Sequence, residues 1–208
     1  MQTVLFKTET LEYTACGKVR EFHTLLCRRS EIRSFIEYWH YSHNINGLTT
    51  DYCFKLLDNK SELIGAMIYG KIAMANVWKK YADNENDLIE LKRLCCIDNT
   101  PKNTESFFIG ATLRWLKKNT QIKKVISYAD TTYSHDGTIY KASNFIHVGM
   151  TLGGRVIMYN GKRYHDKTIR TKYKGLLKPF AVKIIRALEA GEAKYISTLG
   201  KHIYIYNF

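Results

Sequence analysis

The hydrophobic pattern changes period between residues 88 and 118. LIELKRLCCI (88–97) alternates and then runs continuously apolar, as a central strand does, and Asp98-Asn99-Thr100-Pro101 ends it. TESFFIGATLRWLKK (104–118) follows at helical spacing. Phe107, Phe108, Ala111 and Trp115 make its expected inward stripe, Thr104 its expected cap, and its terminal lysines suit the helix dipole. Upstream, VLFK (4–7) and FHTLLC (22–27) read as strands around a CGK turn. RRSEIRSFIEYWHYSHN reads as a helix capped by Ser30, with Ile32, Phe35, Ile36 and Trp39 inward and His40, Tyr41 and His43 at its end. YCFKLL (52–57) is a strand that Asp58-Asn59 turns back into ELIGAMIYG, and residues 72–88 read as loop with a helical turn. Downstream come a strand KKVISYAD, a short helix TIYKASNF and two strands in HVGMTLGGRVIMYN. A helix starting near Pro179 and ended by Gly191 follows, and KHIYIYNF closes the chain as a strand.

This order predicts an α/β or α+β domain built on one sheet, with residues 1–208 as a single domain and no linker or repeat. The strict repetition of a doubly wound nucleotide fold is missing. So are GxGxxG and GxxxxGK[ST], which leaves a dinucleotide-binding enzyme or a P-loop NTPase without its motif.

Charge changes the picture most. Thirty-two Lys and Arg against 19 Asp and Glu leave +13, a field that favours a polyanionic partner. Five cysteines, an odd number with Cys95 and Cys96 adjacent, fit neither a disulfide framework nor a zinc knuckle, so they read as reduced, mostly buried thiols. No apolar run approaches a membrane span and the N-terminus lacks the pattern of a signal peptide, so a cytoplasmic location is expected.

Four groups of residues carry candidate chemistry. The start of helix 104–118 offers free backbone N–H groups, with Lys102, Asn103, Thr104 and Ser106 placed to help hold an anion such as a pyrophosphate; an ordinary capped helix is the alternative. In the strand before it, Glu90 and Lys92 share one face and Arg93 takes the other, where a buried guanidinium needs a carboxylate or phosphate. His40 and His43 share a face if helical and could join a metal site, while His40 or Tyr41 could relay a proton. Asp130 ends a strand, at the edge where open α/β sheets hold ligands, and Asp136 suits a helix cap. Separately, GKRYHDK and RTKYKG make a basic run in which Lys167, Arg170, Lys172 and Lys174 are candidate phosphate contacts.

ELKRLCCIDNTPKNTESFFIGATLRWLKK, followed by ISYAD and HDGTIYKASNFIHVG, resembles the Mom family of phage DNA-modification proteins over roughly residues 30–208, with WHYSH and the aromatic tail in support. The resemblance implies a GNAT acyltransferase-like domain: a central mixed, mostly antiparallel sheet flanked by helices. It implies a transferase that adds a carbamoylmethyl group to adenine N6 and so protects phage DNA from host restriction, in the cytoplasm of the infected bacterium. His40, Tyr41 and Asp130 would then be catalytic, and Arg93 and Ser106 important by matching motif. Segments 90–98 and 101–110 would cradle a cofactor pyrophosphate, with NTPKNTES in place of a glycine-rich cradle. Tyr140, in IYKASNF, would approach the cofactor, and Asn144 stands where glycine would be common. Asp130 and Tyr41 are expected to converge beside the start of helix 104–118. Double-stranded DNA and a small-molecule donor are the implied partners, and residues 161–208 are the portion expected to touch DNA. The donor stays open between acetyl-CoA and another activated compound, with or without a metal ion, and a homodimer is compatible. An N-acetyltransferase using acetyl-CoA and a non-catalytic basic DNA-binding protein are the alternatives.

Overall fold

Asp58 and Asn59 close the hairpin that starts the sheet. In the computed structural model, β2 (Tyr52–Leu57) and β3 (Leu63–Gly70) pair antiparallel around them, from Tyr52↔Tyr69 to Leu57↔Leu63. The structure describes residues 13–74 and 76–208, so the expected strand VLFK lies outside the described residues. β1 (His23–Cys27) adds antiparallel to β2, and β4 (Leu88–Cys96) antiparallel to β3. β5 (Lys124–Asp130) then runs parallel to β4, paired from Leu88↔Lys124 to Leu91↔Ser127. With β6 (Ile146–Met150) and β12 (Lys201–Asn207), these strands form a seven-stranded sheet in the order β1-β2-β3-β4-β5-β12-β6, mostly antiparallel, with β4 at its centre as its apolar run predicts.

Two helices flank the sheet's first half. α1 (Arg29–Trp39) begins one residue before the expected Ser30 cap. The Glu31 carboxylate reaches back to accept the Arg28 N–H at 2.7 Å, one of the orphan donors that every helix start leaves. Ile32, Phe35 and Ile36 are buried, as expected. α2 (Thr104–Asn119) has the predicted length, but its buried stripe is Phe108, Ile109, Thr112, Leu113 and Leu116, turned from the expected Phe107, Ala111 and Trp115. Thr112 can be buried because its hydroxyl is satisfied by the Ile109 carbonyl at 2.9 Å and the Tyr69 hydroxyl at 2.8 Å. Trp115 still packs, with its ring against Tyr52 and Phe54. α3 (Thr138–Lys141) is a single turn.

The chain divides into two compact units. The first holds the described residues up to Ser127 together with Thr138–His147 and Tyr204–Phe208; the second holds Tyr128–Gly137 and Val148–Ile203. In the second unit, β7 (Gly154–Tyr159) pairs with β8 (Lys162–His165) and with β11 (Ala193–Thr198) in a three-stranded antiparallel sheet. α4 (Pro179–Glu189) has Pro179 in its first turn, where the missing N–H costs nothing, and Gly191 follows at φ 75°. Ile184 and Ala187 of α4 bury against Ile157 and Ala193, with Tyr159, Tyr164, Ile169 and Leu188 around them. β9 (Lys172–Tyr173) and β10 (Leu176–Leu177) form a separate small hairpin. Among the described residues no helix is long and apolar enough to cross a membrane.

Candidate active site

The site of the first unit is assembled around Arg93 of β4. The partners Ile68↔Arg93 and Tyr69↔Leu91 leave Lys92 as an extra residue, a β-bulge in the middle of the strand. Bulges re-aim side chains, and here Lys92 is buried and paired to Glu90 at 3.4 Å. A Cβ on Gly70 would run into the Thr49 carbonyl and crowd the Lys92 stem, so only glycine lets this loop come so close to β3.

Within the chain, Arg93 is held by two backbone carbonyls and lies within electrostatic reach of the Glu90 carboxyl group. Its Nη1 donates to the Lys92 carbonyl at 2.7 Å and its Nε to the Asn44 carbonyl at 3.3 Å. Burial lowers its pKa, while Tyr41 and Glu90 act electrostatically in the opposite direction. A guanidinium stays protonated, so Arg93 is a cation within electrostatic reach of the Tyr41 phenol and the Glu90 carboxyl group. The loop that carries Asn44 is held a second time by Arg29, which donates to the carbonyls of Ile45 and Leu48.

That loop begins with His40 and Tyr41. α1 ends at Trp39, His40 is its C-cap, and His43 has φ 45°, so His40 and His43 do not share the helical face their spacing allows. The physical reason is the tight turn: the His43 N–H donates to the His40 carbonyl at 2.8 Å, which takes the chain out of the helix. Among the described residues no cluster of three or more His, Cys, Asp or Glu could hold a metal ion. His40 is buried, and its Nδ1 accepts the Ser42 N–H at 3.1 Å with the Ser42 hydroxyl at 2.8 Å. The Tyr41 ring lies over the His40 ring, centroids 4.2 Å apart, and is 37 % exposed.

Tyr140 of α3 joins the same electrostatic neighbourhood. Its pKa is pushed up to about 12, first by burial, with Tyr41, Glu90 and Tyr204 adding to the rise and a hydrogen bond with Ser127 opposing it. Ser127 is the last residue of β5 paired with β4, and it also donates to the Leu91 carbonyl at 3.2 Å. The Tyr140 ring packs on Phe145 and Tyr204. Sequence reasoning found Tyr41, Arg93 and Tyr140 one at a time. From the sequence Glu90 reads only as part of a charged face, and Ser127, the partner of Tyr140, shows only as a serine inside an apolar strand.

The start of α2 lies in the same unit. Asn103 is its N-cap at φ 73°, so Thr104 is the first helical residue and not the cap. Thr104 is buried with its hydroxyl donating to the Pro101 carbonyl at 2.7 Å, and the Ser106 hydroxyl donates to the Asn103 carbonyl at 3.1 Å. Lys102 is exposed. One turn on, a cavity of about 240 Å³ is lined by Ser106, Gly110, Arg114 and Lys117 of α2, by Asn144, and by Tyr206 and Phe208. Asn144 has φ 62°, the left-handed conformation that glycine adopts freely. Arg114 and Lys117 were not singled out from the sequence, although their i, i+3 spacing puts both on one helix face.

Asp130 belongs to the second unit and Tyr41 to the first. The Asp130 carboxylate is buried, pairs with Lys201 at 3.0 Å and accepts the Thr132 N–H at 3.1 Å, capping the 3-10 turn Thr131–Tyr133. Burial raises its pKa, but these partners outweigh burial and hold it below the usual carboxylate range. The Thr131 hydroxyl ties the same turn to the Gly200 carbonyl at 2.6 Å. In the same unit Lys167, Arg170, Lys172 and Lys174 are all exposed, with Arg170 paired to Asp166 at 3.0 Å.

The profile of the Mom protein family matches residues 21–208. The methylcarbamoylase mom of Escherichia phage Mu is 26% identical over 147 residues, which are 69% of this chain and 59% of that protein, so the chain spans about three fifths of its relative's length. Among solved structures, SpeG spermidine N-acetyltransferase of Vibrio cholerae superposes with a TM-score of 0.53 at 10% identity, covering 90% of this chain and 94% of that one. A manganese complex of the same spermidine/spermine acetyltransferase gives 0.52 at 9% identity, over 91% and 94%. These likenesses show a GNAT-like fold, which the bulged β4, its parallel partner β5 and the intervening α2 build here. With its matched region running from before β1 to the last residue, the chain belongs to the Mom protein family.

Proposed function

We propose that this protein is a phage DNA-modification transferase that places a carbamoylmethyl group on the exocyclic N6 of adenine. The observation that carries the reading is the gathering of Tyr41, Glu90, Arg93 and Tyr140 in one electrostatic neighbourhood, in a chain that the Mom profile matches almost throughout. The likeness to the methylcarbamoylase mom of phage Mu supports its coarser part, a DNA-modifying transferase.

The product requires a new N–CH2 bond. N6 shares its lone pair with the ring and is a poor nucleophile, so its proton must leave as the bond forms, while a leaving group departs from the donor's CH2 carbon with the bonding pair. An acyl thioester attacked at its carbonyl would give an amide instead, so the donor carries its leaving group on the CH2. In this scheme Glu90 takes the N6 proton. Arg93 is no base; it stabilises negative charge that develops on the donor carbonyl or leaving group. Tyr140, with its pKa near 12, stays a neutral phenol and donates a hydrogen bond. Tyr41 orients the incoming base by a hydrogen bond from its hydroxyl, and His40 holds the turn that presents it. Asp130 is a positioning residue acting through the turn Thr131–Tyr133.

A phosphate-bearing donor, CoA-linked or other, fits the first unit: Arg114, Lys117 and Ser106 line the cavity on α2, and Lys102, Asn103 and Thr104 form the helix start one turn away. Lys167, Arg170, Lys172 and Lys174 are proposed to contact the phosphates of duplex DNA. Mass spectrometry of nucleosides from cells that express the protein tests the function. A carbamoylmethyl increment on deoxyadenosine is expected. Unmodified DNA together with tight acetyl-CoA binding would mark an ordinary N-acetyltransferase, and unmodified DNA with DNA binding alone a non-catalytic binder.

A further inference from the structure

The hairpin of β9 and β10 is built to be narrow and exposed. Tyr173 faces Leu176 and Lys172 faces Leu177 across the two strands. Between them Lys174 and Gly175 both have positive φ, 49° and 82°, the twisted two-residue turn that suits a tight hairpin. Space is not why Gly175 is glycine, since nothing lies within 4 Å of the place its Cβ would take. The directly opposed pair at the tip is apolar and wet: Tyr173 is 66% exposed and Leu176 76%. The cross-strand pair gives a four-residue ribbon only modest support and leaves most of its own apolar surface in water.

Its surroundings are cationic. Residues 161–178 hold seven Lys and Arg and a single acid, Asp166. Asp166 already serves Arg155, His165 and Arg170, at 3.9, 3.0 and 3.0 Å. Lys172 and Lys174 bracket Tyr173, with the Lys174 ammonium 5.7 Å from the ring centre. Lys178 anchors the base of the hairpin through its N–H to the Thr171 carbonyl at 2.9 Å.

We infer that this hairpin is a wedge for duplex DNA, in which Lys172, Lys174 and Lys178 hold phosphates while Tyr173 and Leu176 enter the base stack. The inference rests on the adenine-modifying reading, because N6 of a paired adenine lies inside the duplex and its base must leave the stack to react. Apolar side chains pushed between base steps, with cations on the flanking phosphates, are a known way to unstack a duplex. An anionic membrane would also attract lysines, but it takes a broad apolar face, and the tip offers one cross-strand pair.

The test is permanganate reactivity of thymines in plasmid DNA mixed with the full-length protein, since a thymine whose adenine partner has left becomes unstacked and oxidisable. The wild-type protein should create reactive thymines. Tyr173→Ala with Leu176→Ala should reduce them to the level of free DNA while affinity stays within about threefold, since the lysine–phosphate pairs carry the salt-dependent part of binding. Tyr173→Phe should keep the reactivity. Lys172→Ala with Lys174→Ala should weaken binding and lower the slope of log K against log salt by about 0.9 for each phosphate no longer neutralised. Full reactivity in the Tyr173/Leu176 double variant overturns the wedge, and so does displacement of bound DNA by anionic phospholipid vesicles through this hairpin. DNA binding without reactive thymines sinks the wedge and leaves the modification reading standing, whereas a wild-type protein that binds no DNA sinks both.

Discussion

The Ser42 backbone N–H donates to Nδ1 of His40 at 3.1 Å, and this hydrogen bond fixes the tautomer of the ring. A backbone amide can only donate, so Nδ1 carries a lone pair and the proton sits on Nε2. His40 thus enters the site as a neutral donor that shapes a turn. Nitrogen-15 NMR of the imidazole should show Nδ1 as acceptor-type and Nε2 as protonated at neutral pH. His40→Asn, whose amide oxygen can replace Nδ1 toward Ser42, should preserve the melting temperature better than His40→Leu. A ring protonated at Nδ1 would refute this assignment.

Tyr41 and Asp130 should separate under substitution, although the sequence gives both a catalytic look. The Tyr41 ring is 37% exposed, so Tyr41→Phe should leave stability unchanged and lower the yield of modified deoxyadenosine at least about tenfold, the effect of about 1.4 kcal/mol lost in the transition state. Asp130→Asn keeps an amide oxygen for the Thr132 N–H but removes the charge that pairs with the half-exposed Lys201, which should cost about 1 kcal/mol and lower the melting temperature by roughly 2–4 °C. Melting curves and nucleoside yields on the same preparations decide. A Tyr41→Phe protein with normal yield would remove Tyr41 from the chemistry.

Much of this architecture was legible in the alternation of residues. YCFKLL is a strand from its first to its last residue, Asp58-Asn59 is its turn, and Pro179 and Gly191 bracket α4. Where the reading slipped, a polar group had found a partner that the local sequence does not show. The start of α1 moved because Glu31 could reach the Arg28 N–H. The buried face of α2 turned because Thr112 could hide its hydroxyl against Tyr69, 43 residues away in the chain. The site was harder still. Arg93 is held by backbone carbonyls, and Tyr41 and Glu90, which act on both Arg93 and Tyr140, come from separate parts of the chain, so spacing alone could nominate each residue but not join them.

The cysteines should behave as packing groups. Burial pushes the thiols of Cys27 and Cys95 up to about 12 and Cys53 up to about 11, and holds Cys96 well above its ordinary value. Thiolate is the reactive form, so all four should resist iodoacetamide in the folded protein at pH 8 and react once urea unfolds it. Peptide mass spectrometry after timed alkylation gives the rates. Fast labelling of Cys95 or Cys96 in the native protein would contradict the burial that sets these values.

Asp58 supplies the clearest pH dependence. It is fully buried, and its two carboxylate oxygens accept four hydrogen bonds: Tyr13 hydroxyl at 2.6 Å, Cys16 N–H at 2.8 Å, Lys60 N–H at 2.9 Å and Glu62 N–H at 3.0 Å. Burial acts to raise its pKa, but the four donors together hold it below the ordinary value. The folded state therefore binds the Asp58 proton less readily than the unfolded chain, whose pKa is about 3.9. Its contribution to stability is complete above that value and falls as pH drops toward the folded pKa. Asp58→Asn presents an NH2 group to donors that need an oxygen, so it should cost about 2–4 kcal/mol at pH 7. Because the variant lacks the titrating group, the gap between the two proteins should narrow below about pH 4. Urea unfolding of both proteins at pH 7 and in acid measures it, and a gap that stays constant with pH would show that Asp58 does not titrate with folding.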